Sequence, residues 1–234
     1  MRNAYLACGL LTFVLSSCAS YQNQEYAMTA QPNPSRIRYL ALGDSYTIGE
    51  SVPAAARFPE QLAAALRDRG LELADPSVIA RTGWTTEELS AAIDGANPQG
   101  TFDLVTLLIG VNNQYRGHPV TAYEPEFQAL LARAIAFADG DATRVIVVSI
   151  PDWGITPYAV GRDPQAIGRE IDAFNAVNRA RAFESGARYV DITPISRRAL
   201  EDPSLIAADG LHPSGKMYAL WVELILEEAL QVLK

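Results

Sequence analysis

Gly43-Asp44-Ser45-Tyr46-Thr47 places a serine directly after a compact apolar run, Ile37 to Leu42. Far downstream, Asp209-Gly210-Leu211-His212-Pro213 sets a carboxylate three residues before one of the chain's 2 histidines. A serine hydroxyl becomes a useful nucleophile only when a base within hydrogen-bond reach removes its proton. That base works best when a carboxylate orients its ring. One short loop can hold both Asp209 and His212. Pro213 favours an extended His212 and suits the first position of a following helix. The other histidine, His118, has no acid within several residues on either side and reads as surface or rim.

Acyl transfer to serine also needs fixed donors where negative charge develops on the carbonyl oxygen. Three candidates exist: the Ser45 N–H, the Gly83 N–H and the side-chain amide of Asn112. Gly83 is suited because a backbone amide approaches a substrate best where no side chain intervenes. Each residue also has a plainer reading. Ser45 alone is a favoured helix cap. Asn112 and Asn113 are turn formers, and for Asn113 that reading is the stronger. His212 could cap a helix or lie on the surface, and Gly83 could simply break the chain. Asp44 reads as a local hydrogen-bond partner of its turn rather than an acid in the chemistry. Trp84, Tyr115 and Trp153 either line a cleft or belong to the core.

The elements that must position these residues alternate in type. Apolar strand-like runs fall at Ile37 to Leu42, Ser77 to Ala80, Leu104 to Ile109, Arg144 to Ile150 and Arg188 to Ile192. Helical spacing appears from Phe58 to Leu66, from a Thr85 or Thr86 cap through Leu89 and Ile93, and from Phe127 to Ala138. It returns from Ile167 to Asn178 and from Tyr218 to Leu233, with Leu220, Leu224 and Leu230 among the buried candidates. Strands apolar throughout are buried on both faces, and alternation of strand and helix implies right-handed crossovers. The expectation is a three-layer α/β/α sandwich on a five-stranded parallel sheet. Ligands of such sheets bind beyond the carboxyl ends of the strands, where Ser45, Gly83 and Asn112 fall. The stretch from Gly154 to Arg169 is expected to shape the cleft.

With these residues in place, the chain resembles the SGNH or GDSL hydrolase family. Gly43-Asp44-Ser45 matches its first motif, Gly83 the second, Gly110-Val111-Asn112 the third and Asp209-x-x-His212 the fourth, in the family's order. The resemblance implies a flavodoxin-like sandwich acting on esters or thioesters without a metal. Two positions depart from the family pattern: Asn113 stands where the third motif commonly has Asp, and Tyr46 where the first often has Leu or Ile. The expected function is a serine hydrolase that cleaves carboxylic esters or thioesters through an acyl-enzyme intermediate. An acyltransferase or deacetylase of envelope glycans shares the same residues, and a flavodoxin-like binding module would need no histidine base.

Other chemistries lack their residues. Thr47 stands where the Gly-x-Ser-x-Gly elbow requires its second glycine. Neither glycine-rich phosphate fingerprint is present. With 2 histidines, and Cys8 and Cys18 as the only cysteines, a structural zinc site is not expected, nor is a cofactor. A net charge of -8 argues against nucleic acid and against adhesion to anionic lipid. Any membrane tie is therefore expected at the N-terminus. There Arg2 precedes an apolar run, Ala4 to Leu15, too short to span a bilayer but shaped like a secretory signal. Leu15-Ser16-Ser17-Cys18 resembles the bacterial lipobox, the alternative being ordinary cleavage near Ala19 or Ser20. The expected order is a leader over 1–17, a lipidated Cys18 beginning a polar tether over 18–35, and a hydrolase domain over 36–234. The expected location is the cell envelope, at the outer membrane if the cell has one.

Overall fold

In a computed structural model, the described residues are Met1 and 36–234. Residues 2–17 of the leader, and the tether with Cys18, lie outside them. Five strands, β1 (Tyr39–Gly43), β2 (Ser77–Ala80), β3 (Leu104–Leu108), β4 (Val145–Val148) and β5 (Arg188–Val190), form one parallel sheet in the order β2-β1-β3-β4-β5. Every residue of β1, β3 and β4 is buried, as continuous apolar runs require. The edge strands β2 and β5 are half-exposed, so burial on both faces is confined to the three central strands.

Among the described residues, eight α-helices accompany the sheet: α1 (Ser45–Ile48), α2 (Phe58–Arg67), α3 (Thr86–Ala96), α4 (Val111–Tyr115), α5 (Val120–Phe137), α6 (Pro164–Ser185), α7 (Thr193–Arg197) and α8 (Gly215–Val232). One layer pairs α2 with α8, and the other packs α3, α5 and α6 in series. Among the described residues no helix is long and apolar enough to cross a membrane. Core side chains such as Leu42, Leu107, Val147 and Trp221 are fully buried. Each such apolar side chain contributes about 1.5–3 kcal/mol relative to exposure.

The register explains where a site can form. Gly43 of β1 pairs with Ala80 of β2 and Leu108 of β3, so three strands end level. The chain crosses to one side after β1 and to the other after β2, opening a crevice at the switch point between β1 and β3. The segments carrying Ser45, Gly83 and Asn112 leave these three strand ends together.

Local chemistry sets the helix limits. Thr85 caps α3 in a full capping box with Glu88. Helix α5 begins 7 residues before Phe127 despite Pro125 inside it; Thr121, whose carbonyl loses that helical donor, is exposed to water. Helix α8 corrects the expected face. Its buried side chains are Met217, Tyr218, Trp221, Val222, Ile225, Leu226 and Ala229, whereas Leu224 is exposed and Leu220 and Leu230 are half-buried. The aromatic residues Tyr218 and Trp221 set the phase, which turns Leu224 away from the core.

Candidate active site

Ser45 is the first residue of α1, so its N–H has no acceptor within the helix. Asp44 caps that turn, accepting the Tyr46 N–H on Oδ1 at 3.0 Å. Asp44 is completely buried and its Oδ2 has no hydrogen-bond partner. Burial pushes its carboxyl up to about 7, against the opposing hydrogen bond from Tyr46. Tyr46 runs edge-on to the His212 ring, 5.7 Å between centroids, and its carbonyl accepts the Tyr218 hydroxyl at 3.0 Å.

Gly83 has a left-handed backbone, φ +87°, and open space where a Cβ would project. It is held from behind. Its carbonyl accepts Arg116 Nη2 at 2.6 Å, and the next carbonyl, of Trp84, accepts Asn112 Nδ2 at 2.9 Å. An amide nitrogen carries two protons, so Asn112 keeps one for the cleft. Asn112 follows Gly110, whose φ is +123° and whose Cβ would lie 2.5 Å from the Tyr123 hydroxyl. Only glycine fits there without displacing Tyr123, which itself bonds Ile109 and Asn178.

His212 is buried, at 7% exposure, and its Nδ1 lies 2.6 Å from Asp209 Oδ2. The same Oδ2 accepts the Ser51 hydroxyl at 2.6 Å, while Oδ1 accepts the N–H groups of Leu211 at 2.9 Å and His212 at 3.0 Å. Partial burial alone would raise the Asp209 carboxyl. The hydrogen bonds from Ser51, His212 and the loop backbone outweigh it and hold the group well below the usual carboxylate range.

Ser45, Gly83, Asn112 and His212 line one cleft of about 130 Å³, together with Tyr46, Thr82, Val111, Tyr115, Trp153, Tyr158 and Leu211. No hydrogen bond joins the Ser45 hydroxyl to the His212 ring among the described residues. Such contacts tighten when substrate binds. With Nδ1 committed to Asp209, Nε2 is the ring nitrogen left for a proton from the cleft.

The far wall is aromatic. Tyr115 and Trp153 meet at 5.4 Å, the Tyr115 and Tyr158 hydroxyls are 3.0 Å apart, and the Arg162 guanidinium lies 4.9 Å from the Tyr115 ring centre and 5.1 Å from that of Trp153. Tyr158 is tied to the acid loop, its N–H donating to the Gly210 carbonyl at 2.9 Å. Trp153 is fixed by Gln114 at 2.8 Å and by Asp152, which caps its turn. Asp152 is buried, pairs with Arg197 Nε at 2.9 Å and accepts the Gly154 N–H at 2.9 Å.

One expectation changes and two are narrowed. Asn113 is not a turn former but a fully buried bridge: its Oδ1 accepts the Thr86 N–H at 3.1 Å and its Nδ2 donates to Thr86 Oγ1 at 2.7 Å. Of the two readings of Trp84, packing against the core holds. Of the stretch Gly154 to Arg169, the part from Pro164 onward is already the first turns of α6, and it is Tyr158 that reaches the cleft. His118 is exposed and away from this cleft. Sequence reading missed Ser51, Tyr158 and Arg162. None carries a local signal, because each matters through partners distant in the chain.

The family model for GDSL-like lipases and acylhydrolases matches residues 41–220, which covers Ser45, Gly83, Asn112, Asp209 and His212 and all of the sheet except the first two residues of β1. The chain belongs to that family. It is thus a hydrolase of the GDSL esterase and lipase type. No curated protein matches it in sequence. Solved structures share the fold of this GDSL-family chain at low identity. TesA has a TM-score of 0.62 at 19% identity, over 84% of this chain and 98% of its own. The psychrotrophic esterase EstA from Pseudoalteromonas sp., inhibited by monoethylphosphonate, has a TM-score of 0.62 at 16% identity, over 84% and 98%. Axe2, an acetylxylan esterase from Geobacillus stearothermophilus, has a TM-score of 0.63 at 20% identity, over 83% and 94%.

Proposed function

We propose that this GDSL-family protein cleaves carboxylic esters through an acyl-enzyme on Ser45. His212 Nε2 takes the Ser45 proton as Oγ bonds to the acyl carbon. Asp209 holds the ring and balances the imidazolium that forms. The Ser45 and Gly83 N–H groups and the Asn112 amide stabilise the oxyanion. The intermediate collapses as His212 returns the proton to the departing alcohol oxygen. Water then repeats the sequence, its proton passing to His212 and then to Ser45, and the acid is released. The observation that carries this reading is the Asp209–His212 pair at 2.6 Å on the wall of the cleft that Ser45, Gly83 and Asn112 share.

Hydrolysis of p-nitrophenyl acetate by wild type, Ser45→Ala and His212→Ala tests it, together with labelling by a fluorophosphonate probe. The expected result is loss of turnover and of label in Ser45→Ala; equal rates would end the proposal. A binding module would instead tolerate His212→Ala.

The aromatic wall of Tyr115, Trp153 and Tyr158 supports a second reading, in which a glycan ester or a glycan acceptor stacks beside the reacting carbon. Product formed only when sugars are present would mark an acyltransferase; acid formed in water alone would mark a hydrolase. Lipidation of Cys18 and residence in the cell envelope are part of the same proposal, supported by the Leu15-Ser16-Ser17-Cys18 string. Incorporation of a labelled fatty acid by wild type but not by Cys18→Ala tests the anchor.

A further inference from the structure

Ser51 stands 158 residues from Asp209 in sequence, yet its hydroxyl donates to Asp209 Oδ2 at 2.6 Å, the oxygen that also meets His212 Nδ1. The backbone is strained to make this contact. Ser51 has φ +66°, in the left-handed region that serine rarely enters. The other described non-glycine residues with positive φ are Asn97 and Asp139, types that tolerate the region and here follow helix ends. Strain of this kind persists only where surrounding interactions hold it, and it concentrates at functional sites.

The segment bearing Ser51 touches three parts of the cleft. It leaves α1, the helix of Ser45, through Gly49. Its Glu50 carboxylate accepts the hydroxyl of Thr82, the neighbour of Gly83. Ser51 then reaches the loop of Asp209 and His212. Three of the four hydrogen bonds on the Asp209 carboxylate come from its own loop, so they would persist if that loop drifted as a unit. The Ser51 bond is the one that ties the carboxylate to the serine's side of the cleft.

We propose that Ser51 is a positioning residue for the acid–base pair, fixing Asp209 and through it His212 relative to Ser45. It touches neither substrate nor the reacting atoms. The inference rests on the proposed roles of Asp209 and His212, and the experiment separates the two.

The variants are Ser51→Ala, Ser51→Asn and Ser51→Gly, assayed with p-nitrophenyl acetate alongside thermal melting. Ser51→Ala keeps Cβ and removes the hydroxyl, and its kcat is expected to fall roughly 3- to 10-fold, a modest share of what a hydrogen bond to a charged group can supply, because water reaches this exposed site. KM and Tm are expected to stay near wild type. Ser51→Gly relieves the backbone strain but also lacks the hydroxyl, so it loses kcat while Tm holds or rises. Ser51→Asn retains an N–H donor on a residue type that tolerates the left-handed backbone, and recovers at least half of the lost kcat. In an Asp209→Ala background, removing the Ser51 hydroxyl costs nothing further, because its only catalytic route has gone. Unchanged kcat in Ser51→Ala, a loss confined to KM, or an equal loss without Asp209 would each overturn the inference. Full activity in His212→Ala would overturn the underlying reading instead, whereas an inactive His212→Ala beside a fully active Ser51→Ala would overturn only the role of Ser51.

Discussion

Asp44 lies one residue before Ser45, and Asp209 three residues before His212. Asp44 is wholly buried with one hydrogen bond on one oxygen and none on the other. Asp209 is more accessible but receives four hydrogen bonds, two on each oxygen. Burial pushes the first up to about 7; the hydrogen bonds hold the second well below its ordinary range. Donors rather than depth separate the two, since a carboxylate keeps its charge where N–H and O–H groups replace the water it has lost. The nucleophile side of the cleft thus carries an acid inclined to neutrality, and the base side carries a fixed anion.

The comparison breaks most sharply in turnover. Asp209→Asn is expected to lower kcat by roughly 10³- to 10⁴-fold, because the ring loses its anionic partner and its tautomer is no longer set. Asp44→Asn retains a capping oxygen, so kcat should change by less than about 3-fold. Steady-state kinetics on p-nitrophenyl acetate measure both. Equal losses would place Asp44 in the chemistry and erase the contrast.

Stability against pH sharpens it next. The Asp44 carboxyl has a folded value above its unfolded one, so its contribution is complete below the ordinary value near 4 and is lost as pH rises through about 7. Wild type should therefore lose up to about 4 kcal/mol across this window that Asp44→Asn does not lose. Urea unfolding of both proteins at pH 4, 6 and 8 tests the sign and the size; parallel profiles would rule the effect out. Asp152 offers an intermediate case, buried like Asp44 but paired like Asp209. Arg197→Ala would leave it unpaired, at a cost of about 1–3 kcal/mol, since the arginine is partly exposed and water softens the loss. KM should rise as Trp153 loosens. A variant with unchanged melting and unchanged KM would separate Asp152 from the wall. The smallest effect is that of Asp209 on folding. Its depressed value adds stability above the ordinary carboxylate range that disappears as pH falls, and partial exposure limits this to about 1 kcal/mol or less. Acid titration of unfolding in wild type and Asp209→Asn reads that difference.

Much of this was legible in the chain. Strands β1, β3 and β4 are short apolar runs bounded by turn residues, and such runs have one stable place, the middle of a parallel sheet. Thr85 and Glu88 spell a helix start. Because ligands lie beyond strand ends, the residues following β1, β2 and β3 pointed to one cleft, and Ser45, Gly83, Asn112 and His212 do share it. What was not legible depends on tertiary partners. Asn113 has the composition of a turn, but Thr86 and Glu126 make it a bridge. Leu224 has the hydrophobicity of a core residue, but Tyr218 and Trp221 decide which face turns inward. Ser51 has no motif at all, and its meaning lies in a carboxylate from the other end of the domain.

The bond from Tyr158 N–H to the Gly210 carbonyl has a consequence for how this protein can diversify. Gly210 lies between Asp209 and His212, so the strap that shapes the rim is sewn to the loop that moves the proton on the proposed reading. A change of rim residues that alters which alcohol is accepted also tugs on the base. Selectivity and speed are then inherited together, and variants chosen for a new leaving group should need a compensating substitution near Gly210 before they regain pace.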